Sequence, residues 1–115
     1  MSRRILVVDD DHAMVRTLVD ILNLSGWDAV GVHSGMEAVE ATKGSEYPFV
    51  LMDIRMPGMS GVDAFKAIKQ ASPSINVVLM TAHTAPEVIA EAERAGALRV
   101  INKPIDMPAL MELLG

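Results

Sequence analysis

Short apolar runs alternate with segments of helical period along this chain, and this alternation constrains the fold more than any other feature. The predicted strands cover residues 5–8, 29–33, 49–52, 77–80 and 99–102. Val, Ile and Leu dominate these runs without regular polar alternation, which is typical of strands that are covered on both faces. Between the runs, apolar side chains recur at the spacing of amphipathic helices. The sequence therefore predicts a βα unit repeated five times.

A repeated βα unit folds as a parallel sheet with helices on both faces, because each crossover returns the chain to the same end of the sheet. We predict a doubly wound (βα)₅ sheet of the α/β class with strand order 2-1-3-4-5, the flavodoxin-like arrangement. The 115 residues are expected to form a single domain. The last predicted helix, Met107–Leu114, is barely two turns long, which is consistent with a domain cut from a longer protein.

Composition argues against several classes of protein. Half of the residues are apolar, which argues against disorder, and the net charge of −5 without a basic stripe argues against a direct nucleic-acid surface. The absence of cysteine excludes disulfides, thiolate metal sites and a thiol nucleophile. The apolar runs are far too short to span a membrane. These features favour a soluble, cytoplasmic protein with no membrane partner.

Charged or hydroxyl residues stand where four of the predicted strands end. They are Asp9, Asp10 and Asp11 after the first strand, Asp53 after the third, Thr81 after the fourth and Lys103 after the fifth. In a parallel sheet these ends meet at one edge, where open α/β folds bind ligands. Two carboxylates at about 4 Å repel by roughly 4 kcal/mol at an effective dielectric near 20, which favours recruitment of a cation. Carboxylate oxygens as ligands favour Mg²⁺ or Mn²⁺.

An aspartate beside such a cation is a competent nucleophile for phosphorus. Phosphoryl transfer mainly requires positioned groups and charge stabilisation, so a lysine and one hydroxyl complete a minimal site. A lone aspartate after a strand is usually a turn or helix-capping residue, and each of these residues taken singly has that plainer interpretation. Together, at the ends of four parallel strands, they favour a site for a divalent cation and a phosphoryl group.

Four stretches of the sequence match a known family along the whole length of the chain. They are ILVVDDD at residues 5–11, LMDIRMPGMSG at 51–61, MTA at 80–82 and KP at 103–104. With this spacing the chain resembles the receiver domains of two-component response regulators, and it is nearest in motif to nitrogen-regulator-type receivers. The resemblance implies a phosphoprotein of a phosphorelay that carries an aspartyl phosphate.

The resemblance implies a phosphoacceptor and a metal site. Asp53 would accept the phosphoryl group from the phosphohistidine of a histidine kinase. Asp9, Asp10 and Asp53 would hold Mg²⁺ or Mn²⁺, with Asp10 the more direct ligand and Asp9 acting through water. Arg55 would offer its backbone carbonyl to the same ion. Asp11 is expected to cap the first helix instead.

The resemblance also implies residues that contact the phosphoryl group or set its lifetime. Thr81 would hydrogen-bond one phosphoryl oxygen, and Lys103 would pair with another. The side chains of Arg55 and His83, two residues beyond Asp53 and Thr81, would flank the attacking water and tune hydrolysis. A solvated loop residue is an equally open interpretation of His83. Ala82 is small, as access for a kinase histidine requires.

Partners and output follow from the same resemblance. The donor would be a histidine kinase or a phosphotransfer protein, and the output domain or target protein would contact the fourth helix, fifth strand and fifth helix. A dimer that depends on phosphorylation is left open. The position of Val100 carries Tyr or Phe in many receivers, so we expect the signal to pass through the loop after Thr81 and the helix at 85–95. The chain would catalyse only its own phosphorylation and dephosphorylation, as a switch.

The same residues admit other interpretations. A phosphatase with the Asp-x-Asp element of haloacid-dehalogenase-like enzymes would use Asp9 and Asp11, but His12 replaces the usual Thr or Val and no cap domain fits. A nucleotide or flavin module lacks its Gly-rich loop after the first strand. A pseudo-receiver would bind partners without phosphorylation, and the complete residue set argues against it. No role is predicted for His12 or His33.

Overall fold

The computed structural model describes residues 3–82 and 86–115, whose strands form one parallel sheet. The strands are β1 (Arg4–Val8), β2 (Asp28–Val32), β3 (Phe49–Asp53), β4 (Asn76–Thr81) and β5 (Arg99–Asn102). Their order is β2-β1-β3-β4-β5, and every pairing is parallel. The predicted strands and their order are confirmed, with bounds that differ by at most one residue at either end.

The described helices alternate with these strands. They are α1 (His12–Leu24), α2 (Gly35–Gly44), α3 (Gly61–Ala71), α4 (Pro86–Arg94) and α5 (Met107–Leu114). Asp11, Ser34, Ser60 and Asp106 cap four of them, each accepting a hydrogen bond from the amide three residues further on. The predicted start of the fourth helix at residue 85 lies outside the described residues. The described helix begins at Pro86, where a proline removes no intrahelical hydrogen bond.

Each face of the sheet carries its own apolar core, as strands without polar alternation predict. On one face, side chains of β1, β3 and β4 pack against α2, α3 and α4 through Ala38, Phe65, Ile68 and Ala92. On the other face, the alternate side chains pack against α1 and α5 through the buried residues Val15, Leu18, Leu22, Leu110 and Leu114. Burying one large aliphatic or aromatic side chain contributes about 1.5–3 kcal/mol, so these two layers hold the central strands rigidly.

Within residues 3–82 and 86–115, no helix combines the length and the apolar character that crossing a bilayer requires.

Candidate functional site

Parallel register brings the polar strand ends to one edge of the sheet. Asp53, the last residue of β3, pairs with Met80 of β4, and Thr81, the last residue of β4, pairs with Asn102 of β5. Asp9 follows β1 directly, and Lys103 follows β5. The Lys103 amide donates to the Thr81 carbonyl at 2.8 Å, and the peptide bond from Lys103 to Pro104 is cis. The edge predicted from the sequence is therefore present.

Buried polarity is concentrated at this edge. Among the described residues, the buried polar or charged side chains are Asp9, Asp53 and Thr81. Asp9 is 1% exposed and Asp53 is 6% exposed, so both carboxylates need a charged partner. The Lys103 Nζ supplies it, at 2.7 Å from Asp9 Oδ2 and 3.3 Å from Asp53 Oδ2. One lysine thus bridges two buried acids.

A third carboxylate completes the cluster. Ligand atoms of Asp9, Asp10 and Asp53 lie within 4.8 Å of one another, and Asp10 is the exposed member. Asp11 stands apart, because its Oδ1 accepts from the Met14 amide at 3.1 Å and caps α1 as expected. The Asp11 amide turns back and donates to Asp9 Oδ1 at 3.0 Å. The structure therefore brings together the three acids that the resemblance names as metal ligands.

The electrostatics of the cluster are unbalanced. Burial raises the pKa of the Asp53 carboxyl, and the negative charge of Asp9 raises it further. The ammonium of Lys103 and the backbone amide of Arg55 lower it, but less. For Lys103, burial lowers the pKa, but the hydrogen bond to Asp9 and the charge of Asp53 outweigh burial, so the pKa lies above its ordinary value. The site thus has a firmly protonated lysine and an Asp53 charge that is only partly compensated.

The loop between β3 and α3 explains why two glycines follow Asp53. The Gly61 amide donates to the Ile54 carbonyl at 2.7 Å, which folds the loop back against the end of β3. A Cβ at Gly61 would lie 2.0 Å from the Asp53 carbonyl oxygen, a distance that no side chain tolerates. Gly58 turns the chain with a φ of +81°. Ser60 then caps α3, so the start of this helix is seated directly on the backbone of Asp53.

The residues predicted to modulate the site are placed as follows. The Arg55 side chain is exposed and lines a cleft of about 660 Å³ between this loop and α4. Its backbone amide interacts with the Asp53 carboxylate. Ala82 is exposed directly after Thr81. His83 lies outside the described residues. The roles assigned to these residues stay predictions.

Two histidines stand beside the site although no role was predicted for them. The Nδ1 of His33 lies 3.3 Å from the carbonyl oxygen of Asp9, and the rings of His33 and His12 stack at 3.7 Å with an interplanar angle of 9°. His33 directly follows β2, which pairs with β1, so its position follows from the strand order. The predicted strand order, applied to His33 as the last residue of the second predicted strand, was the available signal.

Comparison with known proteins bears on this site. The family model described as the response regulator receiver domain matches residues 5–115. Over 115 residues the chain is 36% identical to the chemotaxis protein CheY of Thermotoga maritima, covering 99% of this chain and 96% of that protein. Over 110 residues it is 37% identical to the transcriptional regulatory protein ZraR of Escherichia coli K12, covering 96% of this chain and 25% of that protein.

The fold matches solved structures equally well. A response regulator receiver protein from Pseudomonas putida superposes with a TM-score of 0.94 at 26% identity, with 99% of this chain and 96% of that chain covered. The chain spans about a quarter of the length of the ZraR regulators that it matches. With the parallel order 2-1-3-4-5 and the acidic edge in place, the matches agree along the whole chain. It belongs to the response regulator receiver domain family of two-component systems.

Proposed function

We propose that this receiver domain accepts a phosphoryl group on Asp53 in a reaction that depends on a divalent cation, and that it then changes conformation to control an output. The observation that carries this proposal is the buried Asp53 carboxylate, which shares the Lys103 ammonium with Asp9 and lies within one cluster with Asp10. The domain would act in the cytoplasm, and its donor would be the phosphohistidine of a histidine kinase or phosphotransfer protein, or a small phosphodonor.

The chemistry asks little of the protein beyond position and charge. An Asp53 oxygen would attack phosphorus as the bond from phosphorus to the donor nitrogen breaks, and the nitrogen would leave with the electron pair. Lys103 already lies 3.3 Å from Asp53, so its charge is available to a phosphoryl oxygen. Thr81, buried at the adjacent strand end, would offer its hydroxyl to another. The small exposed Ala82 leaves room for the donor.

The donor set suits Mg²⁺ or Mn²⁺. Three carboxylates stand against a single lysine, and their ligand atoms are all oxygens. Asp9, Asp10 and Asp53 would hold the cation, with the Arg55 carbonyl as a further ligand. When bound, the cation would neutralise the charge of the acids and of the incoming phosphoryl group. Asp10 is the exposed acid of the three, which suits a direct ligand at the solvent side.

Lifetime and output are the finer parts of the proposal. Arg55 and His83 would set the rate of hydrolysis by flanking the attacking water. The output domain or target protein would dock on α4, β5 and α5. Whether phosphorylation also produces a dimer is tested on the same phosphorylated protein. The full-length ZraR relatives are named as transcriptional regulators, which supports an output in gene control only for a longer protein of that kind.

The test is intact-mass spectrometry after incubation with acetyl phosphate, with Mg²⁺ or with chelator. We expect one added phosphoryl group that requires Mg²⁺ and disappears in Asp53→Asn. Asp10→Asn should need far more Mg²⁺, whereas Asp11→Asn is the matched control, because asparagine retains the oxygen that caps α1. If the unchanged protein neither gains mass nor binds beryllofluoride, the proposal is overturned in favour of a pseudo-receiver.

A further inference from the structure

The carbonyl of Asp9 lies one residue beyond the last register pair of β1 and β2. The last register pair of β1 and β2 is Val8 with Val32, and the Asp9 amide still donates to the Val32 carbonyl at 3.3 Å. The next carbonyl, that of Asp9, has the ring of His33 as its partner, at 3.3 Å from Nδ1. A carbonyl oxygen only accepts hydrogen bonds, so this bond requires the tautomer of His33 that carries its proton on Nδ1. The side chain of His33 thus continues the β1–β2 pairing by one bond.

This bond acts on the backbone that carries Asp10. The carbonyl of Asp9 and the amide of Asp10 form one planar peptide unit, so a donor that fixes the carbonyl also fixes the plane from which Asp10 starts. The other two acids of the cluster are buried and paired with Lys103. Asp10 is exposed, and no hydrogen bond or ion pair within residues 3–82 and 86–115 holds its carboxylate. Its direction therefore depends on its backbone.

His33 is itself held from two sides. Its backbone amide donates to Glu37 Oε1 of α2 at 3.2 Å, and its ring stacks on His12, the first residue of α1. Glu37 in turn accepts from the hydroxyl of Ser34, the residue that caps α2. The starts of α1 and α2 therefore converge on the peptide unit between Asp9 and Asp10.

We propose that His33 is a positioning residue that orients the Asp9–Asp10 peptide and thereby sets the affinity of Asp10 for the divalent cation, with His12 as the support of the His33 ring. His33 is not proposed to touch the cation or the phosphoryl group. The inference rests on the proposed function, because it concerns the cation that this function requires.

The test separates the hydrogen bond that His33 donates from the stacking of its ring on His12. His33→Phe keeps a stacking ring without a donor, and His33→Asn keeps a short donor without the ring. The measurement is Mg²⁺ affinity by isothermal titration calorimetry, together with thermal unfolding in chelator. We expect His33→Phe to weaken Mg²⁺ binding about 3- to 10-fold, the range for one lost hydrogen bond. The Mg²⁺ affinity of His33→Asn should stay within about twofold of that of the unchanged protein, because asparagine keeps a hydrogen-bond donor.

A second comparison ties the effect to Asp10. In an Asp10→Asn background, His33→Phe should change Mg²⁺ affinity no further, because both substitutions act through one ligand. If His33→Phe does not fold, His33→Val takes its place, since valine suits the end of a strand. Unchanged Mg²⁺ affinity in the folded donor-less variant, or equal losses in His33→Phe and His33→Asn, overturns the inference. Absence of Mg²⁺ binding by the unchanged protein would instead overturn the proposed function.

Discussion

Helices α3 and α4 cover the same face of the sheet, but the sheet holds them very differently. α3 buries Gly61, Val62, Ala64, Phe65 and Ile68. Of the nine residues described in α4, Ala92 alone is buried, with Val88 half-buried against the core. A lateral contact joins the helices where Lys66 Nζ meets Glu91 Oε1 at 2.8 Å, but exposed ion pairs contribute little to stability. α3 is thus the frame of Asp53, and α4 is the element on this face that moves at the lower cost.

This comparison gives the α4 hypothesis a physical basis. Val100 of β5 is half-buried and packs in the core on the α4 side, but it has no ring that could turn inward. Tyr47 lies elsewhere, beneath the guanidinium of Arg4. A conformational change that starts at Asp53 or Thr81 is therefore expected to appear in α4, which few buried contacts oppose.

The largest expected effect tests the contrast in packing directly. Phe65→Ala should lower the free energy of unfolding by about 3–5 kcal/mol, because it removes a fully buried ring and leaves a cavity. Val88→Ala on α4 should lower it by about 1 kcal/mol, because that side chain is half-buried. Chemical denaturation followed by circular dichroism measures both. Equal losses would mean that α4 is anchored as firmly as α3, and the comparison would be wrong.

The next effect tests how α3 is seated on Asp53. Gly61→Ala should lower the free energy of unfolding by about 1–3 kcal/mol and slow phosphorylation, because the new Cβ forces the end of β3 away from α3. Gly44→Ala is the matched control, since it ends α2 with no atom within 4 Å of its added Cβ. Alanine there should stabilise by about 0.5–1 kcal/mol. Similar stability and phosphorylation rates in the two variants would contradict this account of the β3–α3 loop.

A pH-dependent effect tests the charge that this frame holds in place. Because the pKa of Asp53 is raised in the fold, its protonation stabilises the protein. That stability is fully present below the unfolded-state pKa of about 3.9 and is lost as the pH rises through the folded-state pKa. With metal chelated, Asp53→Asn should therefore melt at a higher temperature than the unchanged protein at pH 7, and the difference should shrink towards pH 4.

Thermal unfolding at a series of pH values measures this difference. Asp20→Asn, the same chemical change at an exposed position of α1, serves as the control and should show no such trend. A lower melting temperature for Asp53→Asn at pH 7 would indicate that Lys103 compensates the Asp53 charge fully.

The smallest effect is local and concerns α4 alone. Without a phosphodonor, amide hydrogens of α4 should exchange faster than those of α3, because less apolar surface must be exposed to open α4. Beryllofluoride should then change exchange in residues 88–95 more than in α3. Hydrogen exchange with mass spectrometry measures both helices in one experiment. Equal protection of residues 88–95 with and without beryllofluoride would count against readout through α4.

The fold was predictable because its signals are local. Strand runs such as those ending at Val8 and Met80 are apolar on both faces, and residues such as Ser60 and Asp106 cap helices through bonds that span three residues. The parallel order then follows from the alternation of strands and helices. The gathering of Asp9, Asp53 and Lys103 was predictable for the same reason, since parallel strands end at a common edge.

What the sequence did not reveal depends on distances between distant parts of the chain. The role proposed for His33 depends on the distance between its ring and the Asp9 carbonyl oxygen. Glycine is needed at position 61 because a Cβ there would lie 2.0 Å from the Asp53 carbonyl oxygen. The closer pairing of Lys103 with Asp9 than with Asp53 depends on the side-chain geometry at the strand ends. None of these contacts leaves a periodic pattern in the sequence.

The bridge from Lys103 to Asp9 has a consequence for biogenesis, because its two residues are 94 positions apart. During synthesis Asp9 leaves the ribosome long before Lys103, its partner, which arrives only after the fifth strand. Contacts of such long sequence separation are slow to form, because closing the intervening chain costs entropy. Until β5 docks, Asp9 and Asp53 repel each other without a counter-charge. Competence to take up a phosphoryl group would therefore report that the whole sheet has been assembled.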